Sequence, residues 1–351
     1  MKRLFIIGNG FDQAHDLETR YIDFKKFLKT NDSKFFYKIL EIYKYSFKRE
    51  IHIITHESLN TNDFDEEKDG DNLLWEDFEK CMKYVNESLI FDEYDFNLDN
   101  ETEYDDQIKE NIKRIVSEVF YNIYENLQDY FYEWISSINI NKLKKKTSLI
   151  TNKNKDLYLT FNYTRVLEEV YDIKDGVCHI HGELGKASLI IGHNNNKRIN
   201  ELEEELNYYT TRNKVILNQE KIDKGIEEFE EYIEEEETNK EFNERIKAEE
   251  LLKFYKKTYK NTSFYIEKNN YFFNNISKVD EILVIGHSLN EIDMPYFRYI
   301  FSNTKNKVKW KIYSYPNKEE VKKESKKKIL DLGVKEENIE ILNSDEFWKE
   351  P

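Results

Sequence analysis

The chain has 351 residues, a formal net charge of −16, and 35% charged, 39% hydrophobic and 15% aromatic residues. A chain of this length buries roughly three quarters of its unfolded surface and needs no disulfide or metal staple. The 25 Tyr and 23 Phe argue against wholesale disorder, and the acidic balance excludes long-range attraction to nucleic-acid phosphates. Only two cysteines are present, Cys81 and Cys178, which excludes a four-Cys zinc site and fits a reducing cytoplasm. The opening MKRLFIIGNGFD is too short an apolar run for a signal peptide, and no apolar stretch reaches membrane-spanning length. The expected location is the cytoplasm, with neither membrane nor nucleic acid as a partner.

In chain order, short apolar runs at Leu4–Ile7, Leu157–Phe161, Val177–Ile180, Leu189–Ile191 and Ile282–Ile285 each end at Gly or Asn. Such runs read as buried parallel strands feeding loops, and further strands are expected at Val308–Tyr313 and Ile339–Leu342. Between them, Tyr21 to about Ile138 reads as several helices, broken by an Asp/Asn-rich loop at Asn60–Asn72 and again near Asp92–Asp106. A second helical stretch, Glu201 to Lys260, carries Ile222, Ile226, Phe229 and Ile233 at helical spacing in a Glu/Lys background and reads as a hairpin or lid. Lys322, Lys323, Lys326, Lys327 and Lys328 read as a solvated helix face. The expected fold class is α/β, a Rossmann-like, mostly parallel sheet with large α-helical insertions. Residues 1–24, 150–200 and 270–351 form its core, 25–149 the helical insertion and 201–269 the charged hairpin.

Four motifs carry the candidate chemistry. Gly8-Asn9-Gly10-Phe11-Asp12 follows the first strand. Paired glycines there let the backbone turn tightly and approach a diphosphate, whereas a tight turn without a ligand is the alternative; Gln13 stands where a full GxGxxG has glycine. Phe161-Asn162-Tyr163-Thr164 puts an amide at the carboxyl end of a strand, where open α/β sheets bind ligands, or else caps a helix. His179-Ile180-His181-Gly182 puts two histidines at period two on one strand face. His181, beside the glycine, is the better general base, and a hydrogen-bonded structural histidine is the alternative. Gly286-His287-Ser288-Leu289, with Asp293, offers a second loop over a dinucleotide, or helix capping.

In this order the motifs resemble the sirtuin-like superfamily. Gly8, Asn9 and Gly10 match its GAG, Asp12 takes the Ser position and Leu17 the Ile of GIP. Phe161-Asn162-Tyr163 looks like its NID or NYD element, His181-Gly182 like its His-Gly, and Gly286-His287-Ser288-Leu289 like its closing GxSL loop. More closely, GNGFD with Thr19 and Tyr21, Trp75-Glu76-Asp77-Phe78-Glu79, FNYT, HIHG and IGHSL with Asp293 resemble the AbiH family of phage abortive-infection proteins. Two cysteines cannot supply the sirtuin zinc module, so peptide deacylation is not implied.

What the resemblance implies is an anti-phage protein that binds NAD and hydrolyses its nicotinamide–ribose bond, with no metal. Asn162 and His181 would be the catalytic pair. Gly8, Asn9, Gly10, Phe11, Asp12, Thr19, Tyr21, Gly286, His287, Ser288 and Asp293 would bind the dinucleotide. Partners compatible with this are a phage-derived trigger and a second protein or further copies of the chain. Two other readings stay open. One is a non-catalytic sensor or scaffold that binds NAD or an ADP-ribose derivative. The other is a metal-dependent phosphoesterase built from His179, His181, His193 and His287 with Asp12 and Asn162.

Overall fold

The strands assemble into one parallel sheet. The computed structural model describes residues 1–43, 75, 78–89, 105–151, 155–186, 189–224 and 239–349, with backbone alone at 105–108, 212–224 and 239–240. The strands are β1 (Arg3–Ile7), β2 (Leu157–Thr160), β3 (Val177–His179), β4 (Glu281–Ile285), β5 (Lys309–Ser314) and β6 (Ile339–Asn343), in the order β3-β2-β1-β4-β5-β6. All five pairings are parallel. This is the doubly wound order, in which successive crossovers run one way from β1 to β3 and then return to the other side of β1.

Both faces of the sheet are covered, as continuous apolar strands require. Leu4 and Ile6 of β1 face one core with Leu157, Leu159, Ile282, Val284, Trp310 and Ile312. Phe5 and Ile7 face the other with Tyr158, Leu283, Ile285 and Tyr313. At the amino edge, Asp156 accepts from the Arg3 backbone N–H at 2.9 Å and from its Nη2 at 2.7 Å, which ties the start of β1 to the segment leading into β2.

The helices used below are α1 (Gly10–Ala14), α2 (Tyr21–Asn31), α3 (Asp105–Val116), α4 (Asn122–Ser137), α5 (Val166–Glu169), α6 (Asn196–Lys224), α7 (Asn239–Thr258), α8 (Met294–Asn303), α9 (Glu319–Asp331) and α10 (Ser344–Lys349). The described chain divides into two compact units. One comprises Met1–Ser33, Gln128–Ile191 and Lys260–Pro351; the other comprises Lys34–Leu127 and Gly192–Tyr259. The first holds the whole sheet.

In the second unit the two inserted segments fold together. Glu87 accepts from Arg198 Nη2 at 2.8 Å and from the Tyr255 hydroxyl at 3.1 Å, and that same hydroxyl accepts from the Val85 N–H. Trp75 stacks on Phe78 with centroids 4.8 Å apart, so the Trp75 motif serves a core; Glu76 and Asp77 lie outside the described residues. The Asn60–Asn72 loop, most of the Asp92–Asp106 loop, and the side chains of Ile222, Ile226, Phe229 and Ile233 also lie outside them.

Two sequence expectations change. Leu189 and Ile191 are buried, but residues 189–191 are not a strand: Ile190, half-buried between them, donates its N–H to the His181 carbonyl and accepts from the Tyr163 hydroxyl, running past the sheet rather than adding to it. Strand β3 ends at His179, because Gly182, at φ +93°, turns its N–H back onto the His179 carbonyl at 3.2 Å. His179 and His181 therefore do not share a strand face. On α9, Lys322 pairs with Glu319, Lys326 with Glu336 and Lys328 with Glu324, a surface of neutralised charge.

Candidate functional site

The strand order puts the topological switch between β1 and β4, and the loops that follow these strands meet there. Gly8 donates its N–H to the Ile285 carbonyl at 2.9 Å, and Gly10 donates to Gly286 at 2.8 Å. A Cβ on Gly8 would lie 2.6 Å from the Gly286 oxygen, and one on Gly286 would lie 2.3 Å from the Phe11 nitrogen. The glycines are thus required by one loop lying on the other, independently of any ligand. Asn9 and Thr19 spend their side chains on each other. Asn9 Nδ2 donates to the Thr19 carbonyl at 2.8 Å, and the Thr19 hydroxyl donates to Asn9 Oδ1 at 2.5 Å. Phe11 belongs to the core beside Tyr171 and Trp348. Tyr21 opens α2 with its ring centroid 6.3 Å from that of Phe131.

Asp12 does not cap a helix. Its Oδ2 accepts the Thr164 hydroxyl at 2.6 Å, across from the loop after β2. Burial pushes its carboxyl up to about 6, against the Thr164 bond, the adjoining Asn162 side chain and nearby His179. Asp12 Oδ1 and both side-chain polar atoms of Asn162 are buried with no hydrogen-bond partner. Asn162 caps no helix either, since α5 begins after Arg165. Its backbone is held instead: the Asn162 carbonyl lies 3.1 Å from His179 Nδ1, and His179 Nε2 lies 2.8 Å from Glu168 of α5.

A second group gathers around His181. Its ring packs edge-on against Phe161, 5.2 Å between centroids. Its Nδ1 lies 3.5 Å from the Nζ of buried Lys260, and its Nε2 lies 3.4 Å from Asp293 Oδ1 without making a hydrogen bond. Burial, then Lys260, pushes the imidazole down to about 3, so it is neutral at physiological pH. Asp293 precedes α8 but makes no cap with its side chain; His287 Nε2 stands 3.3 Å from its Oδ2. His287 Nδ1 accepts the Leu289 N–H at 2.9 Å, so the neutral ring carries its proton on Nε2 and donates to Asp293. Burial pushes the Asp293 carboxyl up, but the His287 bond and the surrounding His181, His287 and Lys260 side chains outweigh it, and the net displacement is downward. Ser288 is exposed.

All of these residues belong to the sheet-bearing unit and follow the carboxyl ends of β1, β2, β3 and β4, apart from Lys260. A family model described as Bacteriophage abortive infection AbiH matches residues 4–314, a span that includes both groups. The chain belongs to the AbiH family. No curated protein and no solved structure matches it.

In this AbiH protein the sequence motifs resolve into two neighbouring groups, Asp12–Asn162–Thr164 and His181–His287–Asp293–Lys260. Asn162 and His181 stand two residues beyond the paired Thr160 and His179 on adjacent strands, yet no hydrogen bond joins them. Lys260 and Thr164 were not among the residues singled out. Thr164 lies inside the FNYT motif, so its place beside Asn162 was the available signal. Lys260 sits in a long charged stretch, where nothing distinguishes one lysine that folds inward.

Among the described residues, the one group with metal-ligand composition is Glu168, His179 and Glu183, whose ligand atoms lie within 4.8 Å of one another. Its carboxylates already face His179, Arg165 at 3.1 Å and Lys186 at 2.9 Å, an ion-pair arrangement that fixes the Asn162 loop. The four-histidine metal cluster does not assemble in the sheet-bearing unit. His193 belongs to the second unit, where its ring nitrogens bond the Thr258 hydroxyl and the Asn195 N–H.

Proposed function

We propose that this abortive-infection protein binds NAD along the carboxyl edge of its sheet and hydrolyses the nicotinamide–ribose bond. The observation that carries the reading is the set of buried, unbonded polar atoms there: Asp12 Oδ1, Asn162 Nδ2 and Oδ1, His181 Nε2 and Asp293 Oδ1. Leaving one such atom without a partner costs about 1–3 kcal/mol. Several within one set of loops make sense where a ligand supplies the missing bonds. Ribose hydroxyls each donate and accept, and so fit a mixture of carboxylate, amide and imidazole atoms. The switch point is where doubly wound sheets take dinucleotides, and the sirtuin-like motifs point to the same ligand.

The bond breaks through an oxocarbenium-like ribose, and nicotinamide leaves as a neutral ring that needs no proton. The protein has to hold the ribose and deliver water to one face of it. Asn162 and His181 bind the ribose and water, and Asp293, itself held by His287, stands 3.4 Å from His181 Nε2.

Incubating the purified full-length protein with NAD and separating the products by chromatography is expected to show nicotinamide release with saturable binding. His181→Ala and Asn162→Ala are expected to lower release by at least about 10²-fold while remaining folded. Binding without release would make the protein a sensor or scaffold for the nucleotide. Neither binding nor release, with or without phage challenge of expressing cells, would remove the NAD reading.

A further inference from the structure

We propose that Asp12, and not His181, takes the proton from the water that attacks the ribose. The inference rests on the NAD-hydrolysis reading and names the acid–base group within it.

His181 is placed to donate. Its Nδ1 faces the Lys260 ammonium at 3.5 Å, so the ring proton of the neutral imidazole sits on Nε2, the atom that faces the site. An imidazole pushed down to about 3 by burial and Lys260 is also a weak base. It can hold a ribose oxygen with its N–H, but it has no lone pair free to accept there.

Asp12 has the complementary properties. It lies in the first turn after the Gly8–Gly10 loop, and that loop is clamped against Gly286, so the carboxylate is rigidly held. The Thr164 hydroxyl occupies Oδ2 at 2.6 Å and fixes the carboxylate plane, leaving Oδ1 unbonded. Beside it the Asn162 amide is unbonded at both atoms. The two residues are only 1% and 6% exposed, so these vacant bonding directions point into the protein and not into bulk solvent. One water bridges two of them: Asn162 Nδ2 donates to the water oxygen, and the water donates to Asp12 Oδ1. The charge that acts on Asp12 is that of His179, which is itself paired with Glu168. A carboxyl raised to about 6 has the basicity a general base needs near neutral pH.

The step balances. The water oxygen forms a bond to the anomeric carbon as the carbon–nitrogen bond breaks. The electron pair of that bond stays on the pyridine nitrogen and cancels its positive charge. The water proton passes to Asp12 Oδ1 and then to solvent. The products are nicotinamide, ADP-ribose and one proton, with no oxidant or metal required.

The test is Asp12→Asn in the full-length protein. The amide keeps the side-chain shape and can still accept from Thr164, but it cannot take a proton. Nicotinamide release is expected to fall about 10²–10⁴-fold, while the calorimetric Kd for NAD stays within about threefold. The wild-type kcat is expected to decline on the acid side through about pH 6 as Asp12 protonates. Release within about threefold of wild type would overturn the proposal, as would NAD affinity lost in parallel with rate, or a wild-type kcat flat from about pH 5 to 8. Wild-type turnover with an unaffected Asp12→Asn removes only the role of Asp12. A wild type that neither binds nor cleaves NAD removes the underlying reading as well.

Discussion

Gly286→Ala is expected to unfold the protein or cost at least about 4 kcal/mol, the range reserved for gross steric or burial faults. The new Cβ would lie 2.3 Å from the Phe11 nitrogen and 2.6 Å from the Gly10 carbonyl carbon, both backbone atoms that no rotamer change can move. The φ of +63° adds strain of about 1–2 kcal/mol for any residue with a Cβ. Relief requires the two loops to part, which breaks the Gly8–Ile285 and Gly10–Gly286 hydrogen bonds and lifts Phe11 from its core. Gly185→Ala is the control: its φ is also positive, at +82°, but nothing lies within 4 Å of the added carbon. It should cost only about 1 kcal/mol. Urea denaturation of both variants checks the expectation, and similar midpoints for the two would remove the loop-on-loop account of the glycine motif.

Asp12→Asn is expected to raise stability near pH 8 by about 3 kcal/mol, and by progressively less as pH falls toward 4. The buried carboxyl keeps its proton up to about pH 6, whereas the unfolded chain releases it near 3.8. Between these values the folded state holds the extra proton, so the Asp12 contribution to stability is full below 3.8 and is lost as pH rises through about 6. A displacement of about two pH units at about 1.4 kcal/mol each gives the stated size. His181 acts in the opposite sense. The unfolded imidazole takes a proton below 6.5, which the folded site resists down to about 3, so acid destabilises through His181. The wild-type profile mixes the two effects; the difference between wild type and Asp12→Asn isolates Asp12. Thermal melts across this pH range test it, and a difference that does not change with pH would show that Asp12 titrates normally. A residue whose replacement by its own amide raises stability is retained for what it does.

The sheet was legible because its strands announce themselves in composition. Runs such as Leu4–Ile7 and Ile282–Ile285 are apolar at every position, which suits a strand buried on both faces, and each ends at a glycine the next loop needs. The same logic failed at 189–191, where three apolar residues satisfy the pattern yet Ile190 finds its hydrogen bonds at His181 and Tyr163. Apolar character reports burial; only the partners of the backbone groups make a strand.

Sequence by itself determined the α/β class, the runs that become the six strands together with one at 189–191 that does not, the family, and which motifs stand at the carboxyl edge, since each of these follows from local pattern. Tertiary structure alone decided that the glycine loops pack on one another and that Asn9 and Thr19 are spent on each other. It also decided that two segments far apart in the chain build a single second unit, and that Lys260 turns inward onto His181. Above all, it left Asn162 and His181 with no hydrogen bond between them and put Asp12 beside the first. The physical reason is that hydrogen bonding and burial are properties of what surrounds a side chain, and for these residues the surroundings come from positions tens to hundreds of residues away.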